Sequence, residues 1–395
     1  MRVAGIIAEY NPFHKGHAHM INTVKSTGFG AVAAAVSGSF VQRGDAGICS
    51  KWARAEMALS GGVDLVIEMP VCYSMAGAQP FADAGVALLD RLGIVDGLCF
   101  GSECGEIQPL RRAAEVLCSE GFGDLLGEEL SGGATFAAAR AAAAGRIDPE
   151  AAELLRRPND ILAIEYLLAI GRMGAGLAPF TVKREGAPHD GEADENQIMS
   201  ASQIRRMIIQ GEDVSPFVPE GTARIFRREG QQGRVPADIA ANERAVLAAL
   251  RRMSESDFAA LPDISEGLEN RLYAAARGAG TIEGFLDLCK TKRYTRARLR
   301  RLMLAAFLGL EGGVPSVPPY IRVLGFNSAG AELLKKAKKA AVLPIITKPA
   351  AVKRLGMEAV RVFELESRAQ DLWGLFVPDT PECGADYTTS PIITT

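Results

Sequence analysis

The residues best suited to chemistry sit in one short stretch, Glu9-Tyr10-Asn11-Pro12-Phe13-His14-Lys15-Gly16-His17. His14 and His17 are three positions apart, so on the first turn of a helix opening near Gly16 they share a face. The start of a helix adds free N–H groups and positive potential. Two imidazoles, the Lys15 ammonium and those amides make an anion site suited to a nucleotide triphosphate. Gly16 has no side chain, which lets a flat base or ribose approach the backbone. The competing reading is a surface His-Lys-Gly-His turn with no ligand. His19 extends the cluster but reads as structural or solvent-facing. His14, His17 and His19 make a poor zinc set, because no fourth ligand of suitable type lies nearby in sequence. A second motif is Ser200-Ala201-Ser202-Gln203-Ile204-Arg205. Two hydroxyls at a helix start with an arginine three residues on can clamp a second phosphate, or form a plain N-cap.

These motifs need elements to hold them. Val3 to Ala8, Ala31 to Val36, Leu65 to Met69, Leu98 to Phe100 and Phe180 to Lys183 read as buried strands. Gly16 to Ser26, Lys51 to Ser60, Phe81 to Leu92 and Pro109 to Cys118 read as the helices between them. Strands spaced by helices of ten or more residues imply crossovers and a parallel sheet, covered on both faces. Ala134 to Arg146 is helical. Another helix starts at Pro158-Asn159-Asp160, with Asp160 or Asn159 as cap. Gly186 to Asn196 reads as a loop, and Ser200 caps a short helix to Gln210. Val214 to Pro219 reads as a linker, after which the alternation stops. Asn242 to Met253, Gly267 to Arg277, Ile282 to Lys290 and Thr295 to Leu308 are all helical, with a short mixed end after Gly312. The expected organisation is an α/β unit over residues 1–213 followed by a mainly α-helical one over 214–395.

The length of 395 residues suits two or three domains and a core that needs no disulfides. A net charge of −3 excludes a wholly basic nucleic-acid coat, though not a local basic patch. Seven cysteines without a Cys-x-x-Cys pair give neither a disulfide framework nor a zinc ribbon, and a reducing cytoplasm is the default. No apolar run approaches the roughly 20 residues of a membrane span.

The strand, His-x-Gly-His and helix start, with the later Ser-x-Ser-x-x-Arg, resemble the nucleotidyltransferase superfamily with a Rossmann-like core. A closer resemblance is to the bacterial tRNA(Met) cytidine acetate ligase family. It is carried by Gly5 to His17, Ser37-Gly38-Ser39-Phe40-Val41-Gln42-Arg43-Gly44, Phe100-Gly101-Ser102-Glu103, Arg157-Pro158-Asn159-Asp160, Lys183-Arg184 with His189-Asp190, and Leu324-Gly325-Phe326-Asn327. These blocks run in order over most of the chain. The resemblance implies joining of acetate to ATP as acetyl-adenylate, then transfer of the acetyl group to N4 of the wobble cytidine of elongator tRNA(Met). It implies ATP contacts on Ile7-Ala8-Glu9-Tyr10-Asn11-Pro12-Phe13-His14-Lys15-Gly16-His17-Ala18-His19-Met20, Gly101, Asn159 and Arg184, and no membrane or protein partner.

In that chemistry His14, His17, Lys15 and Arg184 would offset triphosphate charge, and Ser200, Ser202 and Arg205 would hold the pyrophosphate side. Mg²⁺ on the leaving group leaves no readable motif. A base would help the weakly nucleophilic cytosine amine, with Asp45, Glu9 and Asp190 as candidates by neighbourhood. Gln42 and Arg43 are candidate substrate contacts. Lys290 to Arg301 carries seven basic residues and no acid, and Lys335-Lys336-Ala337-Lys338-Lys339 is a second cluster. Both suit a phosphate backbone, with Lys25, Lys51 and Arg54 as further contacts. Each charge run also reads as a solvated helix face. Two rivals remain: a small-molecule adenylyl- or cytidylyltransferase acting on a phosphorylated metabolite, and an RNA-binding module with a vestigial nucleotide fold.

Overall fold

A computed structural model of the chain describes residues 1–184, 198–265 and 267–395. His189, Asp190 and the loop expected over 186–196 lie outside the described residues. The first half alternates as the sequence requires. Its strands are β1 (Arg2–Ala8), β2 (Phe29–Ser37), a two-stranded hairpin of β3 (Phe40–Val41) and β4 (Asp45–Ala46), β5 (Leu65–Met69), β6 (Gly97–Ser102) and β7 (Ala178–Lys183). Helices α1 (Lys15–Ser26) and α2 (Lys51–Ser60) follow β1 and the hairpin. Successive residues of a strand face opposite sides of the sheet. Accordingly Ile7, Ala33, Ala35 and Ile67 pack into one core, and Ile6, Val32, Ala34 and Val66 into another.

β1, β2, β5, β6 and β7 form a parallel run in the order β5-β2-β1-β6-β7. The chain builds outward from β1 to β2 and β5, then returns to add β6 on the other side. The strand order therefore reverses between β1 and β6, and such a switch point opens a crevice beyond the strands' carboxyl ends.

The second half is not confined to helices. Helices Glu243–Arg252, Leu268–Gly278, Ile282–Cys289 and Arg296–Leu308 bury their own cluster around Leu250, Phe285 and Leu302. Beyond them β8 (Ile321–Phe326), β9 (Ile345–Ile346) and β10 (Ile392–Ile393) return to the main sheet. β8 pairs antiparallel with β5, and β9 and β10 lie parallel to β8. The sheet edge at β5 is thus closed by chain some 250 residues downstream, beyond the helical region the sequence suggested.

A buried ionic network fixes that join. Lys51 of α2 lies 2.6 Å from Glu68 of β5, 2.9 Å from Glu366 of the Met357–Trp373 helix and 2.7 Å from Asp386. Arg322 of β8 pairs with Glu68 at 3.1 Å and with Asp386. Lys51 and Arg54 are fully buried, so neither is the RNA contact expected of it. Arg54 donates to the carbonyls of Glu9 at 2.8 Å, Ser37 at 3.0 Å and Gly38, tying the ends of β1 and β2 together behind the crevice. Lys25 is half-buried against Asp64 at 3.2 Å.

Candidate functional site

A cleft of about 690 Å³ opens at the β1–β6 crevice. Its walls come from the end of β1 and the following turn, the hairpin, the end of β6, the start of the Pro158–Met173 helix, the end of β7 and the start of the Ala201–Gln210 helix. Ile7, Ala8, Glu9, Tyr10, Asn11, His14, Gly16, His17, His19, Met20, Gly101, Asn159, Arg184 and Ser202 all line it. Pro12, Phe13, Lys15, Ala18 and Arg205 do not. Phe13 is a fully buried core residue.

The two histidines are built into the helix start. His14 is the N-cap of α1: its Nδ1 accepts the Gly16 N–H at 3.1 Å, and the His14 N–H donates to Nδ1 of His17 at 3.2 Å. This reciprocal arrangement is a capping box written in imidazoles. The ring centroids stand 3.8 Å apart, with Tyr10 edge-on to His17 at 4.9 Å. Since both Nδ1 atoms accept hydrogen bonds, each neutral ring carries its proton on Nε2. Burial first, then the positive charges of Arg184 and Arg205, push the pKa of His14 down to about 3. Burial and the neighbouring His14 push His17 well below its ordinary value. The expectation that these imidazoles neutralise triphosphate charge is therefore corrected: they are neutral N–H donors.

Gly16 also plays another part than expected. A Cβ there would lie 2.9 Å from Cε1 of His14, so the missing side chain makes room for the protein's own ring. Tyr10 holds φ at 44°, a conformation costly for a non-glycine residue and concentrated at functional sites. Asn11 pins the turn to the hairpin: its Nδ2 donates to Ala46 O at 3.1 Å, and its Oδ1 accepts from Ile48 N at 2.7 Å. Arg205 stands behind this turn. It donates to Asn11 O at 2.7 Å and approaches Asp45 at 3.8 Å, so it braces the turn from outside the cleft. Ser200 is occupied as the N-cap of its helix and lies 3.1 Å from Ser202, which faces the cleft.

The opposite wall holds Glu103, a residue of the Phe100 to Glu103 block to which no role was assigned. The helix there begins at Pro158 with Arg157 as N-cap, so Asn159 and Asp160 sit inside its first turn rather than capping it. Glu103 accepts hydrogen bonds from Asn159 and Asp160, and Arg184 donates to Oδ1 of Asn159 at 3.2 Å. Burial acts to raise the Glu103 carboxyl, but the donors from Asn159 and Asp160 outweigh it and hold it below the ordinary carboxylate range. Its partners lie 56 residues away, beyond the reach of any local pattern.

Gln42 and Arg43 carry the hairpin tip into the cleft, and Arg43 lies 3.9 Å from Glu9. The basic run meets this hairpin from outside. A Cβ on Gly44 would lie 2.7 Å from Cβ of Arg300, and Arg301 reaches Gln42 O at 3.4 Å. Part of the run is already paired: Arg296 with Glu283 and Asp287, and Arg298 with Asp263 and Ser265. Among the described residues no group of three or more His, Cys, Asp or Glu is placed to hold a metal ion.

A triphosphate-sized cleft at the switch point of a parallel sheet, with paired imidazoles at the mouth of its first helix, defines a nucleotidyl transferase. A sequence model described as HIGH Nucleotidyl Transferase matches residues 1–385. The chain is 37% identical over 397 residues to a tRNA(Met) cytidine acetate ligase of Thermoanaerobacter sp. (strain X514), covering 98% of both chains. It is 39% identical over 385 residues to that of Caldanaerobacter subterraneus subsp. tengcongensis, covering 95% of both. The crystal structure of Thermotoga maritima TmcAL bound with alpha-thio ATP matches with a TM-score of 0.92 at 32% identity, over 100% of this chain and 99% of that one. The apo form of that protein matches with a TM-score of 0.95. The chain belongs to the tRNA(Met) cytidine acetate ligase family of HIGH nucleotidyl transferases.

Proposed function

We propose that this protein joins acetate to N4 of the wobble cytidine of elongator tRNA(Met), with ATP as co-substrate. The single observation that carries the reading is the neutral imidazole pair on α1, held at the wall of the crevice with Nε2–H as each ring's remaining donor. In the first step an acetate oxygen attacks the α-phosphorus, the bond to the β-phosphate oxygen breaks, and pyrophosphate leaves. Acetate is already an anion, so this step needs no base. What it needs is placement and donors aimed at the phosphate oxygens. Neutral N–H donors of His14 and His17 supply these, while Arg184 supplies the cation; the Gly16, His17 and Ala18 amides of α1 are taken up by His14.

In the second step the cytosine amine attacks the acetyl carbonyl, AMP leaves, and the amine gives up a proton. Of the candidates for that proton, Glu9 lines the cleft beside Arg43, which supports it over Asp45, whose carboxylate pairs with Arg205 outside the lining. The base must leave its stack to reach the cleft. The exposed Lys292 and Arg293, with Arg300 against the hairpin, form the basic approach to it. We assign the RNA-holding contribution to residues 214–395 on this ground. The Lys335 to Lys339 cluster instead rides on the Ser328–Ala340 helix over β5 and β8, away from the β1–β6 crevice. No helix among the described residues is long and apolar enough to cross a membrane, and a cytoplasmic site of action follows from the proposed tRNA substrate. Incubation with labelled acetate, ATP and unmodified tRNA(Met), followed by nucleoside analysis, tests the reading. Label in N4-acetylcytidine at the wobble position is expected; label that never enters RNA overturns it.

A further inference from the structure

The loop after β6 and the start of the Pro158–Met173 helix hold each other by exchanged carboxylates. Oδ1 of Asp160 accepts the N–H groups of Glu103 at 2.8 Å and Cys104 at 3.1 Å. Oε2 of Glu103 accepts the Asp160 N–H at 2.8 Å. Oε1 of Glu103 accepts both the Asn159 N–H at 3.2 Å and the Asn159 Nδ2–H at 2.7 Å. That leaves Oδ1 of Asn159 to accept from Arg184 Nη1 at 3.2 Å.

We propose that Glu103 is a positioning residue for the triphosphate, acting through the Asn159 amide on the Arg184 guanidinium. A side-chain amide has two orientations of nearly equal shape. Beside a carboxylate only one survives, with nitrogen toward Glu103 and oxygen toward Arg184. The flipped amide would set its oxygen against Oε1 and its N–H₂ against a cation. Glu103 thereby makes Asn159 an acceptor for Arg184.

The arrangement also explains how a carboxylate can line a cleft meant for a polyanion. Three N–H donors between 2.7 and 3.2 Å absorb the charge of Glu103. A neutral amide stands between that charge and Arg184, so the guanidinium is held without being cancelled and keeps its charge for phosphate. A direct carboxylate–guanidinium pair would fix Arg184 equally well and spend that charge.

This inference rests on the ATP reading of the cleft, and calorimetric titration of the full chain with ATP separates the two. Glu103→Gln is expected to weaken ATP binding about five- to tenfold, the net worth of one typical hydrogen bond. Turnover at saturating ATP should fall less than binding does, because Arg184 and its charge are kept and only its hold is loosened. Asn159→Ala should weaken binding similarly, and the double variant should be no weaker than Asn159→Ala alone, since Glu103 acts through Asn159. Asn159→Asp leaves Glu103 itself intact and places a carboxylate on Arg184, so it should bind ATP more weakly than Asn159→Ala. Unchanged ATP binding by Glu103→Gln, additive losses in the double variant, or tighter binding by Asn159→Asp than by Asn159→Ala would each overturn the proposal. Failure of the wild-type chain to bind ATP would instead overturn the functional reading, and the proposal with it.

Discussion

His14→Asn separates the structural and chemical duties of the first imidazole. Asparagine is among the best N-cap residues, so its carbonyl can still accept a first-turn N–H of α1. At pH 7 the variant should lose only about 1 kcal/mol, from the ring contacts with His17. The pH dependence should change more. In the unfolded chain the imidazole takes up a proton near 6.5, while in the folded chain it stays neutral down to about 3. Above 6.5 neither state is protonated and nothing is lost. Below it the unfolded state holds a proton the folded state refuses, so stability falls with pH by about 1.4 kcal/mol per unit. Between pH 7 and pH 5 the wild type should therefore lose about 2 kcal/mol more than His14→Asn. His17 stays in both proteins, and burial, the larger cause of its lowered pKa, is common to them. Urea melts at the two pH values read this difference directly. Acetate- and ATP-dependent release of pyrophosphate should fall about a hundredfold in the variant, the usual cost of removing one donor aimed at developing charge. Equal losses of stability in both proteins would refute the buried neutral imidazole, and pyrophosphate release at the wild-type rate would refute its role.

Gly101→Ala would set a Cβ 3.1 Å from Cγ of Arg184; displacing that side chain should raise the KM for ATP about two- to fivefold and leave kcat nearly unchanged, by steady-state kinetics. Lys292→Glu combined with Arg300→Glu should weaken tRNA binding and flatten its salt dependence by about one to two units of log–log slope, measured by filter binding, while acetyl-adenylate formation persists. Equal loss of both activities would count against a separate RNA approach. Lys51→Met leaves Glu68, Glu366 and Asp386 facing one another with Arg322 paired to two of them and the buried Arg54 acting on Glu68 and Glu366 without a direct ion pair. Thermal or chemical melts should show a loss of about 3–5 kcal/mol, and a variant as stable as wild type would show that the network does not hold the sheet edge.

The parallel half of the fold was legible because its signals are local. Leu65 to Met69 and Lys51 to Ser60 can be read within a few residues, and the structure places both at those bounds. The motif marked the end of β1, but the crevice itself depends on the strand order, which no local pattern carries. What failed to show depends on distant partners. Lys51 and Arg54 look like surface cations until Glu366 and Asp386, more than 300 residues later, are folded against Lys51. β8 is a short apolar run beyond the helices, and only its antiparallel pairing with β5 makes it part of the main sheet. The motif itself misled in one respect. His-Lys-Gly-His suggests three cations around an anion, but capping and burial consume both Nδ1 atoms and leave neutral rings, while Lys15 does not line the cleft.

The charge of the site is consequently carried by arginines from scattered segments rather than by the signature motif. Arg184 follows β7, Arg43 comes from the hairpin, Arg205 braces the turn, and Arg300 arrives from the helical region. The hairpin is where these meet, and its footing is shared between the two halves. Asn11 holds it from the first half, through Ala46 and Ile48. From the second half, Gln370 accepts from Ser39 at 2.7 Å and Trp373 donates to Gly47 O at 2.7 Å. A base drawn toward Arg43 would thus enter a wall set jointly by the α/β sheet and by the helix that also carries Glu366. That shared footing gives a physical reason why the C-terminal chain returns to the sheet: on the proposed function, the basic approach and the cleft need a fixed distance between them. Val214 and Val218 are themselves buried against the first half's core, so an insertion of a few residues belongs at the exposed Glu212–Asp213 just before them, where it should leave both activities in place, because the register is set by the hairpin and the Lys51 network. Loss of acetyl transfer in such a variant, with acetyl-adenylate formation intact, would show that the connection rather than the hairpin sets that distance.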